Sequence, residues 1–263
     1  MIIKDYIRNN IPISDLENVY VVADFDRTIT QGNSKTSWSI LASSSLVPKS
    51  YVEDRQKLYD YYRPIEVDSS IDYEVKSNLM KEWFQRHIEL FIKYQINESI
   101  FEDAAKNLRI MSFRPGAKKF IDFLHENSIP LIIISAGIGN FVESFFKFNN
   151  CYYDNIFISS NKIIFKNSIA VGVEENIIHS LNKNEVSLPE NIKKQVKSRE
   201  NVILFGDQIS DLRMVDKTKH KNVFTVGFIA NDDVEYIEDM NEDFDIVCNS
   251  NDSYSDIRRI IFG

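Results

Sequence analysis

The clearest signal of the fold in this sequence is the stretch VYVVADFDRT, residues 19–28. Its first five residues are apolar and mostly β-branched, which is typical of a strand in a parallel sheet that helices cover on both faces. Five further runs have the same character and are separated by turns and helical patterns; they are IPLIIISAG, NIFISS, NVILFGD, NVFTVGF and FDIVCN. This alternation predicts an α/β fold with a Rossmann-like parallel sheet core.

A second kind of sequence interrupts this pattern. No glycine lies between Gly32 and Gly116, and apolar residues there recur every three to four positions. We expect three or four helices, with Pro48 starting one and Pro64 ending it. The chain is thus predicted to form a catalytic core from residues 1–31 and 113–263, with a helical cap inserted at residues 32–112. The segment KIIFKNSIAV, residues 162–171, predicts a small hairpin appended to the sheet.

Composition excludes several classes of protein. The 263 residues are 43% hydrophobic, enough for a sizeable core, and their net charge of −8 disfavours binding to nucleic acid or an anionic membrane. Cys151 and Cys248 lack any disulfide or zinc spacing, and we expect both to be small buried hydrophobic residues. The N-terminal stretch has neither a signal-peptide nor a membrane-anchor pattern, and no apolar run approaches the roughly 18 residues of a membrane span. We therefore expect a cytoplasmic protein, a monomer or a small homo-oligomer.

Polar residues follow three of the predicted strands directly. Asp24 and Asp26 follow the first, Ser135 follows a second, and Asp207 follows a third, with Asp211 four residues later. In open parallel sheets, ligands bind at the carboxyl ends of the strands. Any one of these residues alone would be ordinary, because aspartate and serine are common in the turns that follow strands. Together, in strand order, they predict one site at this edge of the sheet.

The residue types indicate phosphate chemistry. Asp24 and Asp26 alternate in an extended segment, so their side chains share a face while Phe25 points into the packing. Such carboxylates, joined by Asp207, supply the oxygen ligands that Mg²⁺ prefers. A carboxylate nucleophile can form an aspartyl-phosphate, and Asp26 is placed to protonate the leaving oxygen. Ser135, ahead of a predicted helix, can bind phosphate oxygens through its hydroxyl and neighbouring backbone N–H groups.

These motifs resemble a known family. DFDRT, IIISAG, a later lysine and GDQISD are similar to the four ordered motifs of the haloacid dehalogenase superfamily, in its phosphatase branch. RPIEVD, MKEWF, SIPLIIISAGIGN, IIHSLNKNE and VILFGDQISDLRM resemble, in order and spacing, the cytosolic 5'-nucleotidase III (pyrimidine 5'-nucleotidase) group. The likeness extends from about Val21 to about Phe228. It implies a haloacid dehalogenase-like core with an inserted cap, and a Mg²⁺-dependent phosphatase.

The resemblance implies a role for each matching residue. Asp24 would be the nucleophile and a Mg²⁺ ligand, and Asp26 the general acid/base and a Mg²⁺ ligand through its backbone carbonyl. Asp207 would be the third ligand. Further residues would complete the site: Asp211 and Thr28 supporting the metal, and Ser135, Ala136 and Lys183 binding phosphate. The residue pattern by itself favours an exposed Lys183; only the resemblance predicts that it binds phosphate.

The cap resembles the family less closely than the core does. Glu66 matches the family's nucleoside-contacting residue, although an exposed acid is the alternative reading. His87 stands where the family has a substrate-contacting serine, and GNSKTSWSILASSS, residues 32–45, replaces a segment that contains cysteine and histidine in animal members. The cap aromatics are expected chiefly to pack its helices, with stacking on a base as the alternative; they are Trp38, Tyr61, Tyr62, Trp83 and Phe84.

Three functions remain open from the sequence. The first is a 5'-nucleotidase acting on pyrimidine or other nucleoside monophosphates. The second is the same chemistry on another small phosphorylated metabolite, such as phosphoserine or a sugar phosphate. The third is a non-catalytic, Mg²⁺-binding receiver-like module, which the presence of Asp26 disfavours because a receiver has no use for an acid there.

Overall fold

A computed structural model of the chain describes residues 1–8, 13–68, 70–107, 110–174, 176–184, 188–229, 234–249 and 252–263. The strands in these ranges are β1 (Ile2–Ile3), β2 (Val19–Ala23), β3 (Leu131–Ile138), β4 (Ile156–Asn161), β5 (Ile163–Lys166), β6 (Ile169–Val173), β7 (Asn201–Gly206), β8 (Asn222–Phe228) and β9 (Ile246–Cys248). Seven of them form one sheet in the order β1-β9-β8-β7-β2-β3-β4, which is parallel except for β1. All six predicted strands are confirmed. The two-residue β1, which pairs with β9, was not predicted from the sequence.

The helices cover both faces of this sheet and fill the predicted insertion. In the described ranges they are α1 (Asp5–Arg8), α2 (Lys49–Val67), α3 (Tyr73–Lys93), α4 (Ser99–Ala105), α5 (Ala117–Glu126), α6 (Gly139–Phe148), α7 (Glu190–Val196), α8 (Val234–Asp243) and α9 (Tyr254–Phe262). None of the described helices has the length and apolar composition needed to cross a membrane.

Strand β2 shows why its sequence is apolar throughout. Val19, Val21 and Ala23 belong to one hydrophobic core, whereas Tyr20 and Val22 belong to another. Successive side chains of a strand point to opposite faces, so a strand with a core on each side needs apolar residues at every position. The α/β fold with a mostly parallel sheet, predicted from this stretch, is confirmed.

Helices α2, α3 and α4 lie between β2 and α5, as the periodicity predicts. Helix α2 begins just after Pro48, as predicted, but it does not end at Pro64. It continues to Val67, and the Asp68 N–H donates to the Pro64 carbonyl oxygen. A proline removes one N–H within the helix, and this helix ends within a turn of it. The boundaries of the cap, 32 and 112, stay a prediction.

The predicted hairpin is confirmed as β5 and β6, but it forms its own two-stranded sheet. Its partners are in the insertion: the Glu98 N–H donates to the Ser168 carbonyl oxygen, and the Ala170 N–H to that of Ile96, both at 3.0 Å. The hairpin therefore ties the inserted helices to the chain that follows β4.

The sheet order positions the candidate site. Strands β7, β2 and β3 are neighbours and run parallel, so the residues that follow them meet at one edge. The Asp24 N–H, for example, donates to the carbonyl oxygen of Phe205 at 3.1 Å. Three segments far apart in sequence thus bring their polar ends together.

Candidate active site

The loop after β2 holds Asp24 in place by anchoring the residues around it. Phe25 is fully buried and packs edge-on against Phe145, with ring centroids 5.4 Å apart. Arg27 has a left-handed backbone with φ of 62°, which turns the chain sharply. Buried Arg114 closes this turn, because its guanidinium donates to the carbonyl oxygens of Arg27 and Thr28.

Lys183 joins two of the predicted carboxylates. Its Nζ lies 2.8 Å from Asp24 Oδ1 and 3.1 Å from Asp211 Oδ1, and all three side chains are buried. The other oxygen of Asp211 accepts the N–H groups of Asp207 and Gln208, each at 3.1 Å. Asp211 therefore fixes the loop after β7 and the lysine at the same time.

Asp24, Asp207 and Asp211 form a compact acidic group. Each offers a carboxylate oxygen, and these oxygens lie within 4.8 Å of one another. Burial raises the pKa of Asp24 and of Asp207, and Lys183 opposes both shifts. Burial also acts to lower the pKa of Lys183, but Asp211 and Asp24 outweigh it and hold that pKa above its ordinary value. The lysine is therefore charged, and the group favours a cation.

Ser37 holds the carboxylate of Asp26 through two hydrogen bonds. The Ser37 N–H donates to Asp26 Oδ1 and its hydroxyl to Oδ2, each at 2.7 Å. Burial raises the pKa of Asp26, and these two hydrogen bonds oppose the shift. One bond to each oxygen fixes the plane of the carboxyl group, so Asp26 is oriented before any substrate arrives.

The phosphate-binding residues predicted after β3 lie at the same edge. Ser135 is buried, and its oxygen accepts the Gly137 N–H at 3.0 Å, which leaves the hydroxyl hydrogen for another acceptor. A Cβ atom at Gly137 would collide with the Ser37 side chain, so glycine allows the two segments to meet. The Ala136 carbonyl oxygen accepts the indole N–H of Trp38 at 3.1 Å.

A cavity of about 530 Å³ leads from these residues to the inserted helices. Its lining includes the core residues Asp24, Asp26, Ser135, Lys183 and Asp207, together with the two cap residues singled out from the sequence, Glu66 and His87. Glu66 forms an ion pair with Arg63. The structure thus brings the core and cap candidates into one cavity.

Comparison with known proteins gives the family. The model of the pyrimidine 5'-nucleotidase family (UMPH-1) matches residues 24–262, nearly the whole chain. The chain belongs to the pyrimidine 5'-nucleotidase family. It is thus a 5'-nucleotidase, a phosphatase of the class expected from its motifs.

Individual relatives agree with this assignment. The chain is 30% identical, over 250 residues, to a 7-methylguanosine phosphate-specific 5'-nucleotidase of Gallus gallus, covering 92% of this chain and 86% of that protein. It matches the crystal structure of cytosolic 5'-nucleotidase IIIB bound to cytidine with a TM-score of 0.86 and 28% identity, covering 97% of this chain and 88% of that one. A substrate-bound phosphoserine phosphatase matches at a TM-score of 0.57 and 16% identity, over 92% of this chain and 97% of that one, and shares the fold alone.

Some residues of this 5'-nucleotidase site escaped the sequence reasoning. Ser37 lies in a serine-rich segment without periodicity, and Arg114 lies in the short connection before α5, so neither carries a local signal. For Lys183 the residue pattern favours an exposed side chain, whereas the structure buries it as the resemblance implies. Thr28 is buried, and its hydroxyl has no hydrogen-bond partner among the described residues, so its support of a metal stays a prediction.

The cap aromatics divide between the two expectations. Trp38, Trp83 and Phe84 line the cavity, where a base could contact them. Tyr62 packs instead, stacking on Trp83 with ring centroids 5.7 Å apart. Tyr61 is 63% exposed and lines neither a core nor the cavity. Trp83 therefore does both: one neighbour, Tyr62, packs on it, and it also lines the cavity.

Proposed function

We propose that this 5'-nucleotidase hydrolyses the 5'-phosphate of pyrimidine nucleoside monophosphates, with Asp24 as the nucleophile and Asp26 as the general acid/base. The observation that carries the proposal is the cavity itself. Asp24 and Lys183, whose side chains lie 2.8 Å apart, line this cavity together with Trp38 and Trp83. A phosphate bound at Asp24 and Lys183 would thus leave a nucleoside within reach of the aromatic rings.

The acidic group fits a magnesium ion. Its three carboxylates are hard oxygen donors close enough to share one cation. We assign the ligands to the side chains of Asp24 and Asp207 and the backbone carbonyl of Asp26. Asp211 supports them, because its oxygens already accept hydrogen bonds from Lys183 and from backbone N–H groups. When bound, Mg²⁺ neutralises carboxylate charge and attracts phosphoryl oxygens.

The reaction has two steps. In the first, an Asp24 oxygen attacks phosphorus, the bond from phosphorus to the 5'-oxygen breaks, and Asp26 gives its proton to that oxygen. In the second, Asp26 takes a proton from water, whose oxygen attacks phosphorus and releases Asp24 and inorganic phosphate. Lys183 and the Ser135 hydroxyl hold phosphoryl oxygens while charge moves between them.

The nucleoside assignment rests on the cap. Glu66 and His87, which lie on the inserted helices, line the same cavity as Asp24. The relatives named above are a nucleotidase specific for 7-methylguanosine phosphate and one bound to cytidine. Both names describe nucleosides or their phosphates, which supports a nucleoside monophosphate over an amino-acid or sugar phosphate.

A substrate panel tests the proposal. With Mg²⁺ present, release of inorganic phosphate is measured from CMP, UMP, AMP, GMP, phosphoserine, sugar phosphates and p-nitrophenyl phosphate. We expect CMP and UMP to give the highest kcat/KM. If nucleotides are turned over no better than p-nitrophenyl phosphate, the nucleotide assignment is wrong.

A matched pair of variants tests the nucleophile. Asp24→Asn should abolish turnover of every substrate, because the amide cannot attack phosphorus. Asp154→Asn, at a carboxylate that is 92% exposed, should leave turnover unchanged. Full activity in Asp24→Asn would exclude the aspartyl-phosphate route.

A further inference from the structure

Four buried polar atoms on residues that line the cavity have no hydrogen-bond partner in the part of the chain that the structure describes. They are Arg55 Nε, Trp83 Nε1, His87 Nδ1 and Ser180 Oγ, and the first three lie on the inserted helices α2 and α3. Arg55 is 8% exposed and His87 is 6% exposed. Buried polar groups in folded proteins are nearly always hydrogen-bonded, so a cluster without partners points to a ligand.

The guanidinium group of Arg55 also places a positive charge in the wall of this cavity. It lies on the face of α2 that carries Tyr59, Arg63 and Glu66 along the same cavity wall. Glu66 is already paired with Arg63. No carboxylate within the described ranges pairs with Arg55. A buried cation without a counter-ion is unfavourable unless a ligand supplies an acceptor.

The chemistry of these groups limits what the ligand can be. The Arg55 guanidinium and the Trp83 indole can only donate hydrogen bonds. Burial, with the Arg55 charge, lowers the pKa of His87 to about 3, so its ring is neutral. His87 is stacked on Trp38 with ring centroids 4.8 Å apart, which makes one wall flat and aromatic. The cavity therefore suits a flat, uncharged group that bears an acceptor oxygen.

We propose that Arg55 determines base specificity, by donating to a ring carbonyl oxygen of the base and by excluding a base that carries positive charge. The proposal rests on the nucleotidase function proposed above. Uracil and cytosine are neutral and carry a ring carbonyl, whereas adenine has none. The 7-methylguanine base has a carbonyl but carries a positive charge, which Arg55 repels. This chain is thus selective against the nucleotide for which its Gallus gallus relative is named.

Two substitutions at Arg55 separate its charge from its hydrogen bonds. Arg55→Met keeps the length of the side chain and removes both, whereas Arg55→Lys keeps the charge and loses the forked donors. Arg86→Met is the control, since Arg86 is an exposed arginine of the same cap that pairs with Glu82 and Glu89. Each protein is assayed with Mg²⁺ on UMP, AMP, 7-methylguanosine monophosphate and p-nitrophenyl phosphate, after its thermal unfolding confirms that it is folded.

In the unaltered chain, kcat/KM for UMP should exceed that for AMP and for 7-methylguanosine monophosphate. Arg55→Met should lower kcat/KM for UMP about 10- to 100-fold, mainly through KM, as expected for a lost hydrogen bond from a charged donor. Arg55→Met should not lower kcat/KM for 7-methylguanosine monophosphate. The ratio of kcat/KM for UMP to kcat/KM for 7-methylguanosine monophosphate should therefore fall by at least about tenfold. Arg55→Lys should lower kcat/KM for UMP, but it should still keep kcat/KM for 7-methylguanosine monophosphate below that for UMP. Arg86→Met should leave kcat/KM unchanged on all four substrates.

Other outcomes overturn the proposal in distinguishable ways. An unchanged ratio of UMP to 7-methylguanosine monophosphate in Arg55→Met means that Arg55 does not select the base. If Arg55→Met does not fold, a wild-type rate on UMP in Arg55→Lys, or loss of its discrimination against the cationic base, overturns the proposal. If the unaltered chain hydrolyses p-nitrophenyl phosphate but no nucleotide, the proposed function itself fails, whatever Arg55 does.

Discussion

Replacing Ser37 by alanine isolates the positioning of the general acid. The substitution removes the hydroxyl that donates to Asp26 Oδ2 at 2.7 Å and leaves the backbone N–H that donates to Oδ1. Asp26 then keeps one of its two fixed hydrogen bonds, and its carboxyl group can rotate about the remaining one. We expect the variant to bind substrate normally and to react more slowly.

The size of the effect follows from the bond that is lost. A hydrogen bond to a charged group contributes about 1.5–3 kcal/mol, which corresponds to roughly 10- to 100-fold in rate. Because the backbone N–H still holds Asp26, the lower half of that range is expected. Ser37 is fully buried, so water does not simply replace the hydroxyl.

The assay uses two leaving groups. The ratio kcat/KM reports only the steps up to release of the first product, in which Asp26 acts as the acid. A nucleoside 5'-oxygen needs that proton, whereas p-nitrophenolate leaves without it. Ser37→Ala should therefore lower kcat/KM for CMP about tenfold and change that for p-nitrophenyl phosphate little.

Ser43→Ala is the matched control. Ser43 lies in the same segment, and its hydroxyl accepts a surface hydrogen bond of 2.7 Å from Lys35 rather than donating to Asp26. It should behave as the unaltered chain on both substrates. Equal losses on CMP and p-nitrophenyl phosphate in Ser37→Ala, or no loss on either, would refute the positioning role.

Three further substitutions test other parts of the site. Lys183→Met should lower kcat/KM about 100- to 1,000-fold, because it removes a donor that stabilises transferring phosphoryl charge, and near-normal kinetics would contradict this role. Gly206→Ala should lower the thermal unfolding midpoint, because the new Cβ would lie 2.6 Å from Asp211 Cβ. Gly172→Ala is its control and should leave the midpoint unchanged, because a Cβ there would meet nothing within 4 Å. Equal midpoints in the two variants would show that the loop around Gly206 adapts. The pKa of His87 is lowered from 6.5 to about 3, so the stability it contributes is present above pH 6.5 and is lost as the pH falls toward 3. The free energy of unfolding should therefore differ between pH 7 and pH 5 by about 2 kcal/mol less in His87→Gln than in the unaltered chain, as measured by urea denaturation. An unchanged difference would show that His87 is already protonated at pH 5 in the folded chain.

Much of the core could be predicted because its signals are local. The six strands appear as apolar runs, since a strand with a core on each face must be apolar at successive positions. Asp24 and Asp207 were predicted to meet because parallel strands end at one edge of the sheet. The structure confirms this proximity, because carboxylate oxygens of Asp24, Asp207 and Asp211 lie within 4.8 Å of one another.

Two features were harder to predict because they depend on structure that surrounds them. A helix was predicted to end at Pro64, but α2 continues to Val67. Strand β1 has only two residues, too few for any periodicity, and forms because β9 offers it an edge. The preceding turns of α2 allow that helix to continue past Pro64, and pairing with β9 allows β1 to form.

The sheet, the carboxylates at its edge and, through the family resemblance, the class of reaction could all be inferred from the amino-acid sequence. Three features became visible only in the folded chain: Lys183 is buried between Asp24 and Asp211, Ser37 orients Asp26, and Arg55 lines the cavity without a carboxylate partner in the described chain. These contacts join residues that are far apart in sequence. A strand or helix pattern fixes the face on which a residue lies, but the partner across that face comes from a distant segment, whose register depends on how the whole chain packs.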